Sequence, residues 1–118
     1  MATALTEPAF WVLTGLAEEP RHGYALLRRI EELSDGASAI RVTTLYATLD
    51  RLERDGQIHV LSEEVVDGRA RRTYAITDDG RATLAHETER LVARARAARA
   101  SLGAPRLVWN RTAAWAPA

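Results

Sequence analysis

Three arginines crowd one turn of this 118-residue chain, in the run Asp67-Gly68-Arg69-Ala70-Arg71-Arg72-Thr73-Tyr74. A guanidinium is a planar fork that meets phosphate oxygens through parallel N–H donors. Arginines at a hairpin tip therefore suit contact with a nucleic-acid backbone. The bland alternative is a charged sheet edge that discourages aggregation. A second set lies upstream. Thr43, Thr44, Ala47, Asp50, Arg51 and Arg54 share one face of a helix. Such a face suits a DNA major groove: close approach at Ala47, hydrogen bonds from Thr, and guanine or phosphate contacts from Arg. Here the bland alternative is a solvated face with Arg51 and Asp55 paired at i, i+4. Tyr46 sits at the border, where its hydroxyl reaches a phosphate or its ring completes the core.

Catalytic chemistry finds no comparable set. His22, His59 and His86 are scattered without metal-ligand spacing, and His86-Glu87 lacks the second histidine of a zinc-protease helix. His59, within a strand, reads as a satisfied structural histidine. Asp78 and Asp79 read as acids at a helix start. There is no glycine-rich phosphate loop and no cysteine. The expectation is a non-enzyme with no catalytic residue, metal or cofactor.

The elements that must position these residues follow from periodicity. A first helix starts at Thr6 and buries Leu5, Ala9, Val12, Leu13 and Leu16. Trp11 points away from that stripe and needs a second surface: a dimer partner, a ligand, or the chain's own tail. Pro20 to Gly23 reads as a tight helix-helix turn. A second helix carries Leu26, Leu27, Ile30 and Leu33 and ends at Ser34-Asp35-Gly36. The third runs from about Thr43 to Asp55, with Leu45, Leu49 and Leu52 inward. Ile58 to Asp67 and Arg71 to Ile76 form a hairpin about Asp-Gly, a strong turn signal. Thr77 caps a last helix, Asp78 to Leu102, ended by Gly103 and Pro105. Its seam of Leu84, Thr88, Leu91, Ala95, Ala98 and Leu102 repeats with 4-3 spacing and suits pairing with a second copy. The fold class is α+β, mostly helical: a winged helix-turn-helix over 1–77, a dimerisation helix over 78–103, and a tail over 104–118. Trp109 and Trp115 lie in the tail. With Trp11 they are candidates to line an apolar pocket between subunits, stacking on a planar aromatic ligand.

Net charge is zero and the pI is near 6.8, against the basic footprint usual for a DNA-binding domain. Distribution matters more than the sum. All 16 basic residues are arginine; Arg69, Arg71 and Arg72 read as a cluster free of acids, and Glu18-Glu19, Glu31-Glu32 and Glu63-Glu64 as separate acidic pairs. Modest affinity with strong salt dependence is expected. The N-terminus lacks a secretory pattern and no apolar run is long enough to span a bilayer, so a cytoplasmic protein with no membrane partner is the default.

Taken together, the chain resembles the PadR family of winged-helix transcriptional regulators. The matching residues are Leu13, Leu16 and His22-Gly23-Tyr24; then Thr44-Leu45-Tyr46, Leu49, Arg51-Leu52-Glu53 and Gly56-Gln57-Ile58; then Gly68 to Thr77 and Gly80. The single C-terminal helix is similar to the family's small subfamily. The resemblance implies a homodimer that binds double-stranded DNA at a palindromic operator and represses transcription. It places Thr44, Tyr46 and Arg51 on the recognition helix and Arg69, Arg71 and Arg72 on the wing. It also implies a response to small aromatic or cationic compounds. Arg41 and Thr43 stand where the family often has Ser and Gly, so the recognition helix is less clearly capped. A winged helix that binds protein instead of DNA is the alternative.

Overall fold

The structure is a computed structural model that describes residues 4–103. Its elements are α1 (Glu7–Glu18), β1 (Arg21–His22), α2 (Gly23–Leu33), α3 (Val42–Arg54), β2 (Ile58–Val66), β3 (Arg69–Ile76) and α4 (Asp78–Leu102). The chain divides into two compact units, Met1–Glu87 and Thr88–Ala118. The first ten residues of α4 thus belong to the winged unit.

Side-chain oxygens set two of the helix starts. Thr6 accepts from the Ala9 amide at 3.3 Å, and Thr77 accepts from the Gly80 amide at 3.0 Å. At α2 the cap is His22, whose Nδ1 accepts from the Ala25 amide at 3.3 Å. Arg41 precedes α3 and gives no side-chain cap, as the departure at that position implied. Helix α2 ends with the Gly36 amide donating to the Glu31 carbonyl at 2.9 Å.

One structural difference from the sequence reading concerns Pro20 to Gly23. Arg21 and His22 are not only a turn: they form β1, paired antiparallel with Tyr74 and Thr73. The sheet therefore has three strands in the order β1-β3-β2. A two-residue strand is too short to show any alternation, and its only signal is the partner it bonds.

The core of the winged unit gathers Val12, Leu13 and Leu16 from α1, Leu26 and Ile30 from α2, Leu45, Leu49 and Leu52 from α3, and Ile58 and Tyr74 from the sheet. Fully burying each such side chain contributes about 1.5–3 kcal/mol, so this cluster sets the positions of the helices around it. Trp11 packs partly against the same cluster, and its Nε1 donates to Glu7 at 3.3 Å. The chain's own core thus provides part of the second surface that Trp11 demanded. Leu84 of α4 also leans on this core.

Ion pairs tie the end of α1 to β1 and α2. Glu18 accepts two bonds from Arg29, at 2.7 and 2.8 Å, and one from Arg21 at 2.9 Å. Arg29 above all, and Arg21 with it, hold the Glu18 carboxyl down at about 2.

Candidate nucleic-acid interface

Helix α3 has two chemically distinct sides. Leu45, Leu49 and Leu52 are buried, whereas Thr43, Thr44, Ala47, Asp50, Arg51 and Arg54 are all exposed. The hydrophobic side fixes the rotation of the helix about its axis, because turning it would expose three leucines. Neither Arg51 nor Arg54 forms an ion pair among the described residues, so the expected alternative pairing of Arg51 with Asp55 is absent. Thr48 is used internally, its hydroxyl donating to the Thr44 carbonyl at 2.7 Å. A groove of about 630 Å³ follows this face, lined in part by Thr43, Thr44, Ala47 and Arg51 together with Leu5 just before α1 and Pro8 in its first turn.

Tyr46 has a two-sided environment. It is 45% exposed, yet its ring and hydroxyl lie against Gly23: a Cβ built at Gly23 would stand 2.8 Å from the Tyr46 Cζ. The His-Gly-Tyr run thus leaves room for the Tyr46 ring at the start of α2. Beside it, a cleft of about 340 Å³ is lined by residues that include Tyr24, Tyr46, Asp50, Arg71, Arg72 and Tyr74. The cleft brings α3 and the wing together on one surface, as a groove-reading helix with a flanking wing requires.

The wing is built as its turn residues demand. Asp67 and Gly68 both have left-handed φ, 53° and 78°, the pattern of a two-residue type I′ turn. That turn sets Val66 opposite Arg69, and the register continues Glu64↔Arg71 and Glu63↔Arg72. An irregularity between Val60 and Ser62 leaves Leu61 without a partner, 55% exposed.

This register corrects the expected acid-free arginine cluster. Arg72 Nε meets Glu63 at 2.7 Å, and Arg71 Nη2 meets Glu64 at 3.0 Å. Residues nine and seven apart in sequence become cross-strand neighbours, which segment-by-segment composition conceals. Glu63 first, and then the Tyr74 hydroxyl, hold the Arg72 guanidinium above its ordinary pKa, while burial pushes the Tyr74 phenol up. Arg69 is exposed and has no ion pair among the described residues. The wing's unneutralised charge is therefore at its tip and not along its flank.

Other expected residues fall elsewhere. His59, expected to be a satisfied structural histidine, is exposed on β2. In the unit that begins at Thr88, α4 continues to Leu102 with Leu91, Ala95, Ala98 and Leu102 exposed, Leu102 to 82%. Trp109 and Trp115 lie outside the described residues. Among the described residues no helix is long and apolar enough to cross a membrane.

The model of the transcriptional regulator PadR-like family matches residues 12–86. The transcriptional regulator Rv3488 of Mycobacterium tuberculosis is 42% identical over 80 residues, which cover 68% of this chain and 71% of that protein. A transcriptional regulator from Clostridium thermocellum shares the fold with a TM-score of 0.68 and 25% identity, over 77% of this chain and 88% of that one. Bacillus subtilis PadR, solved in complex with operator DNA, has a TM-score of 0.59 and 19% identity, over 66% of this chain and 44% of that one. The last likeness concerns the fold alone.

Proposed function

We propose that this chain, which belongs to the PadR-like family of transcriptional regulators, binds a palindromic DNA operator as a homodimer and represses transcription from it. The observation that carries the reading is the two-sided character of α3. Three buried leucines lock its rotation while Thr43, Thr44, Ala47 and two unpaired arginines face outward. In this reading α3 enters the major groove, where Thr44 and Arg51 meet base edges and Arg54 meets phosphate. Tyr46 and the wing arginines flank it. Bacillus subtilis PadR, which is similar in fold, was solved on operator DNA and supports the assignment.

The second protomer joins through the seam of α4, with Leu91, Ala95, Ala98 and Leu102 its exposed portion and Leu84 shared with the core. Two-fold symmetry then requires half-sites about one helical turn apart, or a multiple of that spacing. A small aromatic or cationic ligand beside Trp11 relieves repression in this scheme. A cytoplasmic regulator without catalytic activity follows.

The decisive experiment maps bound sites across the source genome and measures affinity for the recovered repeat by fluorescence anisotropy. Arg51→Ala should weaken the specific complex by about 1–3 kcal/mol and relax preference at one base pair of each half-site. Equal affinity for the repeat and for scrambled duplex would refute operator reading. The alternative, a winged helix that binds protein, is favoured by one observation: two of the three wing arginines are already neutralised. It predicts no duplex binding at any salt concentration.

A further inference from the structure

The flank of the wing carries its own anions. Between Glu63 and Arg72 the hairpin holds three arginines and three acids, and two of the arginines are engaged by carboxylates directly across the ladder. We propose that Glu63 and Glu64 are phosphate mimics that restrain the wing, so that a polyanion engages Arg71 and Arg72 only by displacing them. The inference rests on the DNA-binding reading and adds a pair of affinity-setting residues to it.

The geometry makes the competition direct. A carboxylate and a phosphodiester each offer two oxygens to the same guanidinium donors. The Arg72 Nε to Glu63 distance of 2.7 Å is that of a charge-assisted hydrogen bond, and Arg71 donates to Glu64 at the slightly longer 3.0 Å. Both pairs are cross-strand, placed by the two-residue turn, so little additional chain ordering opposes their formation. The side chains of all four residues are about half exposed, within reach of a ligand and of solvent. Asp50 of α3 lines the cleft beside Arg71 and Arg72, a further acid facing the same arginines. Arg51, Arg54 and Arg69 carry no such internal partner among the described residues. Attraction to the backbone is thus concentrated on α3 and the wing tip, and the flank contributes only when a phosphate is held in the carboxylate's place. The acids lower the affinity for any duplex and leave recognition to α3.

The test compares the full chain with Glu63→Gln/Glu64→Gln. Glutamine keeps the side-chain length and an acceptor oxygen but removes the charge. Two probes serve: heparin, a polyanion without base sequence, and a random-sequence duplex titrated across salt. The paired-acid variant should elute from heparin at higher salt and bind the duplex roughly tenfold more tightly, summed over both wings of a dimer. Its salt slope should steepen by about 0.9 for each additional phosphate contact. A control with the same charge change, Glu31→Gln on α2 with Asp35→Asn in the turn that follows it, should shift both measurements less. The exchange Glu64→Arg/Arg71→Glu restores the pair in reverse and should bind as weakly as the wild type. Thermal unfolding confirms that each variant is folded. Wild-type retention by Glu63→Gln/Glu64→Gln, or an equal gain in the α2 control, would overturn the proposal. The heparin comparison is independent of operator reading: a wild type that prefers no sequence refutes the operator, while the difference between variants still decides the role of the two acids.

Discussion

Replacing Gly80 by alanine pits two effects of opposite sign against each other. Gly80 lies in the first turn of α4, where alanine's helix propensity alone is worth up to about 1 kcal/mol of added stability. The structure opposes that gain. A Cβ at position 80 would collide with the Gln57 carbonyl oxygen and stand 2.8 Å from Ile76 Cγ1. The carbonyl cannot retreat freely, because it accepts the Thr77 amide at 3.0 Å. Relieving the collision strains the junction by about 1–3 kcal/mol, as overpacking does, and loses a backbone hydrogen bond worth about 1 kcal/mol. The net expectation is destabilisation by about 2 kcal/mol. For a domain of this size that lowers Tm by about 8–16 °C. Thermal unfolding followed by circular dichroism, with urea titration as a second measure, decides the matter. A Gly80→Ala protein as stable as the wild type, or more so, would refute the close approach of α4 to Gln57.

Three further outcomes follow from the same geometry. Glu18 is held at about 2 against an ordinary 4.5, so its contribution to stability is fully present above pH 4.5 and is lost as pH falls toward 2; Glu18→Gln should flatten that acid limb in urea titrations run across the window. Arg69→Ala should weaken binding to random duplex more than Arg71→Ala does, since Arg69 has no carboxylate to release; the reverse ranking in anisotropy titrations would count against the wing assignment. Gly23→Ala would push the Tyr46 ring aside, a flexible side chain that can yield; operator affinity should fall several-fold while Tm moves by only a few degrees, and a large Tm loss would mean the ring is fixed.

Much of this fold is legible along the chain because its signals are local. Thr77 followed by Asp78 and Asp79 announces a helix start, and the Thr77 hydroxyl does cap α4. Asp67-Gly68 marks a two-residue turn, and its φ values have that form. Leu45, Leu49 and Leu52 declare the inner face of α3, and all three are buried. What escapes notice is non-local. Strand β1 exists only because β3 offers Thr73 and Tyr74 to pair with. Trp11 sits off the apolar stripe of its helix, yet its long indole still packs partly on the core. The neutralised wing is an intermediate case. Counting outward from a two-residue turn places Glu64 against Arg71 and Glu63 against Arg72, so the pairing is readable from register although composition hides it. The exposed face of α3 is recognisable by chemistry, and the bases it would read are not, because exposure alone carries no preference among base edges.

Where α3 ends and α4 begins, the chain is riveted to itself. Within four residues, the Thr77 hydroxyl donates to the Gly56 carbonyl at 2.7 Å, the Thr77 amide donates to Gln57, and Gly80 presses on that same carbonyl. Insertions at this seam would therefore disturb both helices together, whereas added residues at the Asp67-Gly68 tip would spare the helices and alter the hairpin turn and the Arg69 beside it. Linker scanning along the protein should find stability least forgiving of extra length at the Gly56–Gln57 step, while insertions at the tip should leave the helices folded and impair the wing.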